Sequence, residues 1–179
     1  MTTLYTLAYP RLHPEDGHRI EAFRRAHDPH AALLPAHFTL VFGCDSIATE
    51  TYLRHVEAVC RQARPLDFVC RYAMPAADGP ARAYVYLVPD QGFSGLSRLH
   101  DTLCRGPLAG ALRLDLPYIP HITLGTADPA TAKLASDRLN TPGIEIPGRV
   151  DTVTVAAMDG GELRHLAEFP LGASPGTMA

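Results

Sequence analysis

The chain has very little lysine. Lys133 is the only one, and every other basic residue is an arginine. No nucleotide-activating lysine motif is present, so covalent ligation through a lysine is not expected. A basic surplus is also missing. The formal charge is −3, which argues against a protein that coats long duplex nucleic acid. Arginine offers a planar fork matched to phosphate oxygens, so a small or end-bound anion fits this chain better. Cys44, Cys60, Cys70 and Cys104 contain no C-x-x-C pair. This removes the usual disulfide framework and zinc knuckle and leaves reduced thiols as the expectation. No run of about 18 apolar residues occurs, so no membrane span is expected. The start "MTTLYTLAYPRL" has no basic-then-apolar leader, and a cytoplasmic monomer is expected.

The 179 residues, 46% of them hydrophobic, suit one domain or two small lobes sharing a core. The first half predicts a strand at 3–10, a helix at 14–28, a strand at 36–43, a helix at 48–63 and a strand at 66–74. Pro14, Glu15 and Asp16 suit a first helical turn, with Ile20, Phe23 and Ala26 at helical spacing. Thr49 is the expected cap of the second helix. After a turn at 78–80 the order repeats. A strand at 82–89, a helix at 92–106 and a strand at 121–126 are followed by a helix from Asp128 and Pro129 to Asn140. Strands at 148–158 and 162–171 close the chain. The repeat halves run from 1 to 75 and from 80 to 171, and the tail 172–179 is expected to fray.

The third element of each half carries a histidine. "AHFTLVFG" and "PHITLGTA" align without gaps, and both contain His-x-Thr-Leu. One copy is what chance supplies, and a lone His121 would be read as a core residue. Two copies at equivalent places in a duplicated plan carry much more weight. Side chains alternate along a strand. His37 and Thr39 therefore share one face, as do His121 and Thr123. Phe38, Leu40, Ile122 and Leu124 turn to the other face, toward helices. Two lobes placed face to face would bring both histidines and both threonines into one cleft. The same alternation assigns Tyr84, Tyr86 and Arg82, and Thr152 and Thr154, to the cleft side, and Tyr118 stands just before the second motif.

Two imidazoles facing a common space suit acid/base chemistry near neutral pH. One takes a proton from the attacking oxygen, the other gives one to the leaving oxygen. Threonine hydroxyls two residues on would hold the phosphate oxygens where charge develops. A metal site wants three or four ligands, and none stand at the matching positions, so neither metal nor cofactor is expected.

These paired motifs in a duplicated α+β chain resemble the two-histidine (2H) phosphoesterase superfamily, in its 2′-5′ RNA ligase-like and cyclic phosphodiesterase branch. The resemblance spans nearly the whole chain. It implies a bilobal α+β fold, with two pseudo-symmetric antiparallel sheets facing a central cleft and helices outside. It also implies metal-independent hydrolysis of a nucleoside or RNA-terminal 2′,3′-cyclic phosphate. His37 and His121 would be the acid/base pair, and Thr39 and Thr123 would hold phosphate. The alternative is a non-catalytic binder of RNA ends or nucleotides on the same fold. Relatives often place a basic residue after the second motif, where this chain has Gly125 and Thr126. A phosphate-holding arginine would then come from elsewhere, with Arg82 and Arg71 as candidates. His13, His18, His27 and His30 are expected to face solvent, and His55, His100 and His165 show no partner pattern.

Overall fold

A computed structural model describes residues 2–172. Its strands are β1 (Thr3–Ala8), β2 (Arg11–Leu12), β3 (Phe38–Cys44), β4 (Leu66–Ala77), β5 (Ala83–Gln91), β6 (Ile122–Ala127), β7 (Ile146–Val150), β8 (Thr152–Asp159) and β9 (Glu162–Pro170). Its helices are α1 (Pro14–His27), α2 (Thr49–Gln62), α3 (Phe93–Leu103) and α4 (Pro129–Asn140), with a 3₁₀ turn at Gly106–Ala111. All nine strands join one antiparallel sheet in the order β2-β7-β4-β5-β6-β3-β1-β8-β9. The α+β class expected from sequence is the one observed. The two expected sheets meet at a single register pair, Phe38 opposite Ile122.

Near-twofold symmetry runs through that pair. β5 flanks β6 as β1 flanks β3, and β4 flanks β5 as β8 flanks β1. β4 of the first half thus pairs with β5, the first strand of the second half, and β8 of the second half pairs with β1. The lobes of the sheet do not coincide with the consecutive halves of the sequence.

Both histidine strands carry an irregularity at the same place. Leu7 pairs with Thr39 and Thr6 with Val41, so Leu40 is an extra residue. Tyr86 pairs with Thr123 and Val85 with Gly125, so Leu124 is an extra residue. Each bulge adds local twist and resets the alternation beyond it. Gly125 therefore turns to the face of Val85, not to the face of Thr123. There a Cβ would lie 2.6 Å from His27 Cβ and 2.8 Å from its carbonyl oxygen. The glycine after "HITL" is what lets the last turn of α1 settle on β6, whereas Thr126 pairs with Tyr84 and turns to the cleft side.

Phe38, Leu40, Ile122, Leu124, Val85 and Leu87 are buried in one apolar cluster with Tyr52, Val56, Leu96, Leu99 and Leu103 from the helices. Phe38 meets Phe68 edge-on, with ring centroids 5.1 Å apart. Truncating a buried phenylalanine costs about 3–5 kcal/mol, so the residue next to His37 is a main anchor of the fold.

Four local expectations change. The single strand at 148–158 is two strands divided at Asp151, with β7 beside β4 and β8 between β1 and β9. Ala48, not Thr49, occupies the N-cap of α2, without a side-chain cap, whereas Asp128 does cap α4 through the amides of Ala130 and Thr131. On α1, Ala26 is exposed and Arg24 is buried instead. Of the expected tail, only Gly172 falls among the described residues, and its amide donates to the Cys60 carbonyl.

Candidate active site

The Phe38–Ile122 pair fixes the geometry of the two motifs. In an antiparallel ladder, stepping one residue either way puts His37 across from Thr123 and Thr39 across from His121. Phe38 and Ile122 face the core, so all four polar side chains occupy the opposite face. Tyr86 faces the same way, since it pairs with Thr123.

Each imidazole is held identically. Nδ1 of His37 lies 2.7 Å from the Pro35 carbonyl oxygen, and Nδ1 of His121 lies 2.6 Å from that of Ile119. A carbonyl only accepts, so each Nδ1 carries the hydrogen and donates it. In the neutral ring, each Nε2 is then a bare base. Neither oxygen belongs to a side chain, so residue patterns give no sign of this contact.

The surroundings of the two rings differ. His121 stacks on Tyr86 with centroids 3.5 Å apart and 20° between planes, and Tyr86 stacks on Tyr84. Burial, with His37 as a minor repulsive neighbour, lowers His121 to about 4. Burial and Arg24 also lower His37, while the Pro35 carbonyl, Asp28 and Glu21 pull it upward. Tyr9 approaches His37 edge-on at 6.1 Å. Its hydroxyl is 2.8 Å from Nε2 of His165, and burial pushes it up to about 12.

A cavity of about 470 Å³ opens beside His121, Thr123 and Thr39. Tyr84 and Tyr86, which the alternation put on this side, line it with Tyr118, Asp78, His100 and Arg113. Thr152 and Thr154 do not. The register puts Thr154 opposite Leu7, on the face of Thr39, but its side chain is 2% exposed and sealed from the cavity. Arg71 is bound to Asp90 and Glu145 and does not border the cavity. Arg82 donates to Asp78 at 2.8 Å and lies 5.8 Å over the Tyr84 ring, at the outer end of the aromatic column.

Arg113 is a lining cation that sequence reading passed over. It pairs with Asp115, two residues on. The connection 112–120 has no periodicity to reveal which way it points. His100 was missed as well, though a signal existed. It falls on the apolar stripe of α3 between Leu96 and Leu103. It is 2% exposed, donates from Nδ1 to the Leu40 carbonyl at 2.7 Å and lies flat against Tyr118 at 3.7 Å. Among the described residues, no group of three or more His, Cys, Asp or Glu side chains is placed to hold a metal ion, and no helix is long and apolar enough to cross a membrane.

Two imidazoles with free Nε2 atoms and two threonines on one face of a duplicated sheet are the marks of a phosphoester-cleaving site. The family model of the 2′-5′ RNA ligase superfamily matches residues 10–162. The chain belongs to that superfamily, the two-histidine phosphoesterases. The fold is similar to that of E. coli LigT, solved with 3′-AMP, at 20% identity over 96% of this chain and 99% of that one, with a TM-score of 0.61. It is also similar to a Thermus thermophilus protein at 16% identity, 95% and 98% coverage and a TM-score of 0.59. Kluyveromyces marxianus Usb1 matches at 10% identity, 94% and 98% coverage and a TM-score of 0.55. No curated protein is matched by sequence.

Proposed function

We infer that the protein is a metal-independent phosphodiesterase that hydrolyses 2′,3′-cyclic phosphates of nucleosides or RNA ends. The observation that carries this reading is the shared face of His37, Thr39, His121 and Thr123, with each Nδ1–H tied to a backbone carbonyl and each Nε2 free. His121 is the better base. Its dry, aromatic surroundings favour the neutral ring, and a neutral Nε2 takes the proton of an attacking water. His37 is the better acid of the two: burial and Arg24 lower it, but the Pro35 carbonyl, Asp28 and Glu21 pull against them, and the phosphate anion adds to that pull. Water oxygen bonds to phosphorus as the bond to one ribose oxygen breaks. The proton of His37 goes to that oxygen, leaving a ribose phosphomonoester. The hydroxyls of Thr39 and Thr123 donate to the non-bridging oxygens. The stacked Tyr84 and Tyr86 rings offer a flat surface to a base. LigT with 3′-AMP and Usb1 with uridine monophosphate support nucleotides as the ligand class. Both histidines come from one chain, so a monomer suffices, and the four buried unpaired cysteines suit the cytoplasm.

The test is turnover of a 2′,3′-cyclic nucleotide in excess chelator. Wild-type protein is expected to yield a monophosphate, and His37→Ala or His121→Ala to lose roughly 10²–10⁴-fold each. A bound nucleotide in calorimetry with no product would instead identify a binding protein. Activity abolished by chelator would identify a metal enzyme.

A further inference from the structure

A single ladder pair joins β3 to β6, and one pair does not fix the spacing and twist of two strands. Side chains bridge them instead, and they cross between the halves. Arg24 of α1 is 1% exposed. Its Nε donates to the Thr123 carbonyl at 3.1 Å, Nη1 reaches both Glu21 oxygens at 3.1–3.2 Å, and Nη2 donates to Asp28 at 2.8 Å. Glu21 in turn accepts the Ala36 amide, one residue before His37. Asp28 accepts the His30 amide at 2.9 Å. From the other half, the Tyr118 hydroxyl donates to the Thr39 carbonyl at 3.0 Å, backed by His100. Each motif threonine is thus clamped through its carbonyl by a side chain from the opposite half. No cation of the cavity wall has this many fixed contacts.

We propose that Arg24, acting with Glu21, is the positioning residue that sets the two histidines against each other, with Tyr118 as its counterpart on the other motif. Arg24 touches no substrate. Its planar fork ties α1 to β6, and its ion pair with Glu21 ties α1 to the backbone entering β3. Lysine keeps the charge but not the fork. A small displacement of an acid/base pair is costly, since an error of 1 Å can cost about 10²-fold in rate. Arg24 also stands between Glu21 and Asp28 beside His37. The other groups facing His37 are Tyr9, with His165 and Glu168 behind it, and His121. Removing the guanidinium exposes His37 to two uncompensated carboxylates.

The proposal rests on His37 and His121 being the acid/base pair, so one readout needs no turnover. In full-length protein, Arg24→Lys is expected to lower kcat about 10–100-fold with KM little changed, and to cost nothing further in a His37→Ala background. Arg24→Gln is expected to raise the pH at which the His37 ring titrates by NMR, while Arg24→Lys leaves it near wild type. Glu21→Gln, which keeps an acceptor for the Ala36 amide, should retain more activity than Glu21→Ala. The proposal is overturned by a wild-type kcat in Arg24→Lys, by an undiminished loss in the His37→Ala background, or by an unmoved His37 titration in Arg24→Gln. If the Arg24 variants do not fold, equal kcat in Glu21→Ala and Glu21→Gln overturns it. An inactive wild type defeats the catalytic reading, while the His37 titration still decides the clamp.

Discussion

The two histidine motifs share three residue types, a bulge and a backbone contact at Nδ1, yet their surroundings diverge. The β6 motif lies against stacked tyrosines, with His121 on Tyr86. The β3 motif lies against charge, with Glu21, Arg24 and Asp28 next to His37. Duplication supplied the same hardware twice, and the flanking strands and helices made one ring dry and the other ionic. Two like imidazoles can hold opposite protonation states only if their environments separate them. In the proposed reaction, that difference makes His121 the base and His37 the acid.

Three measurements can break that comparison or sharpen it. The largest effect is expected where the motifs are most alike. Thr39→Val and Thr123→Val should each lower kcat by about 10²–10³-fold, the usual cost of one donor to a developing oxyanion. A loss at only one threonine would mean that the phosphate leans on one strand. Next, Tyr86→Ala should admit water to His121 and move its NMR titration up from about 4 toward its ordinary value. Tyr9→Ala should move His121 little. Equal shifts would put the asymmetry elsewhere.

The smallest effect is on stability. His121 is held at about 4 in the folded chain against an ordinary 6.5. Between about pH 6.5 and 4 the unfolded chain takes up a proton that the folded site refuses, so stability falls as pH falls through that window. His37 acts in the same sense. The thermal midpoint should therefore drop between pH 7 and pH 5, and His121→Gln should flatten the drop. An unchanged slope in that variant would show that His121 is not the ring being kept neutral.

Much of this site could be read from residue order. The repeat of His-x-Thr-Leu and the period of two located four side chains on one face and added Tyr84 and Tyr86 beside them. What escaped had specific causes. The bulges at Leu40 and Leu124 carry no glycine or proline of their own, and they decide where Gly125 points. Thr154 has the right parity but is buried in the sheet between β1 and β9, and parity does not report depth. The break at Asp151 interrupts a run that is apolar and β-branched on both sides. Nothing in residue order marks Arg24, because a buried arginine shows only when its partners Glu21, Asp28 and the Thr123 carbonyl are in place. Arg113 sits on a connection with no period at all.

The exchange of end strands between the halves bears on how the molecule is made. β1 needs β8, and β4 needs β7, so neither half can close its own sheet as it leaves the ribosome. The contacts that seat His37 span most of the chain, which places this fold among slow, non-local folders. A chain cut in the turn at 78–82 would leave two pieces that each lack a neighbour the other supplies. A product truncated before β8 would carry both motifs yet leave β1 without one of its two neighbours.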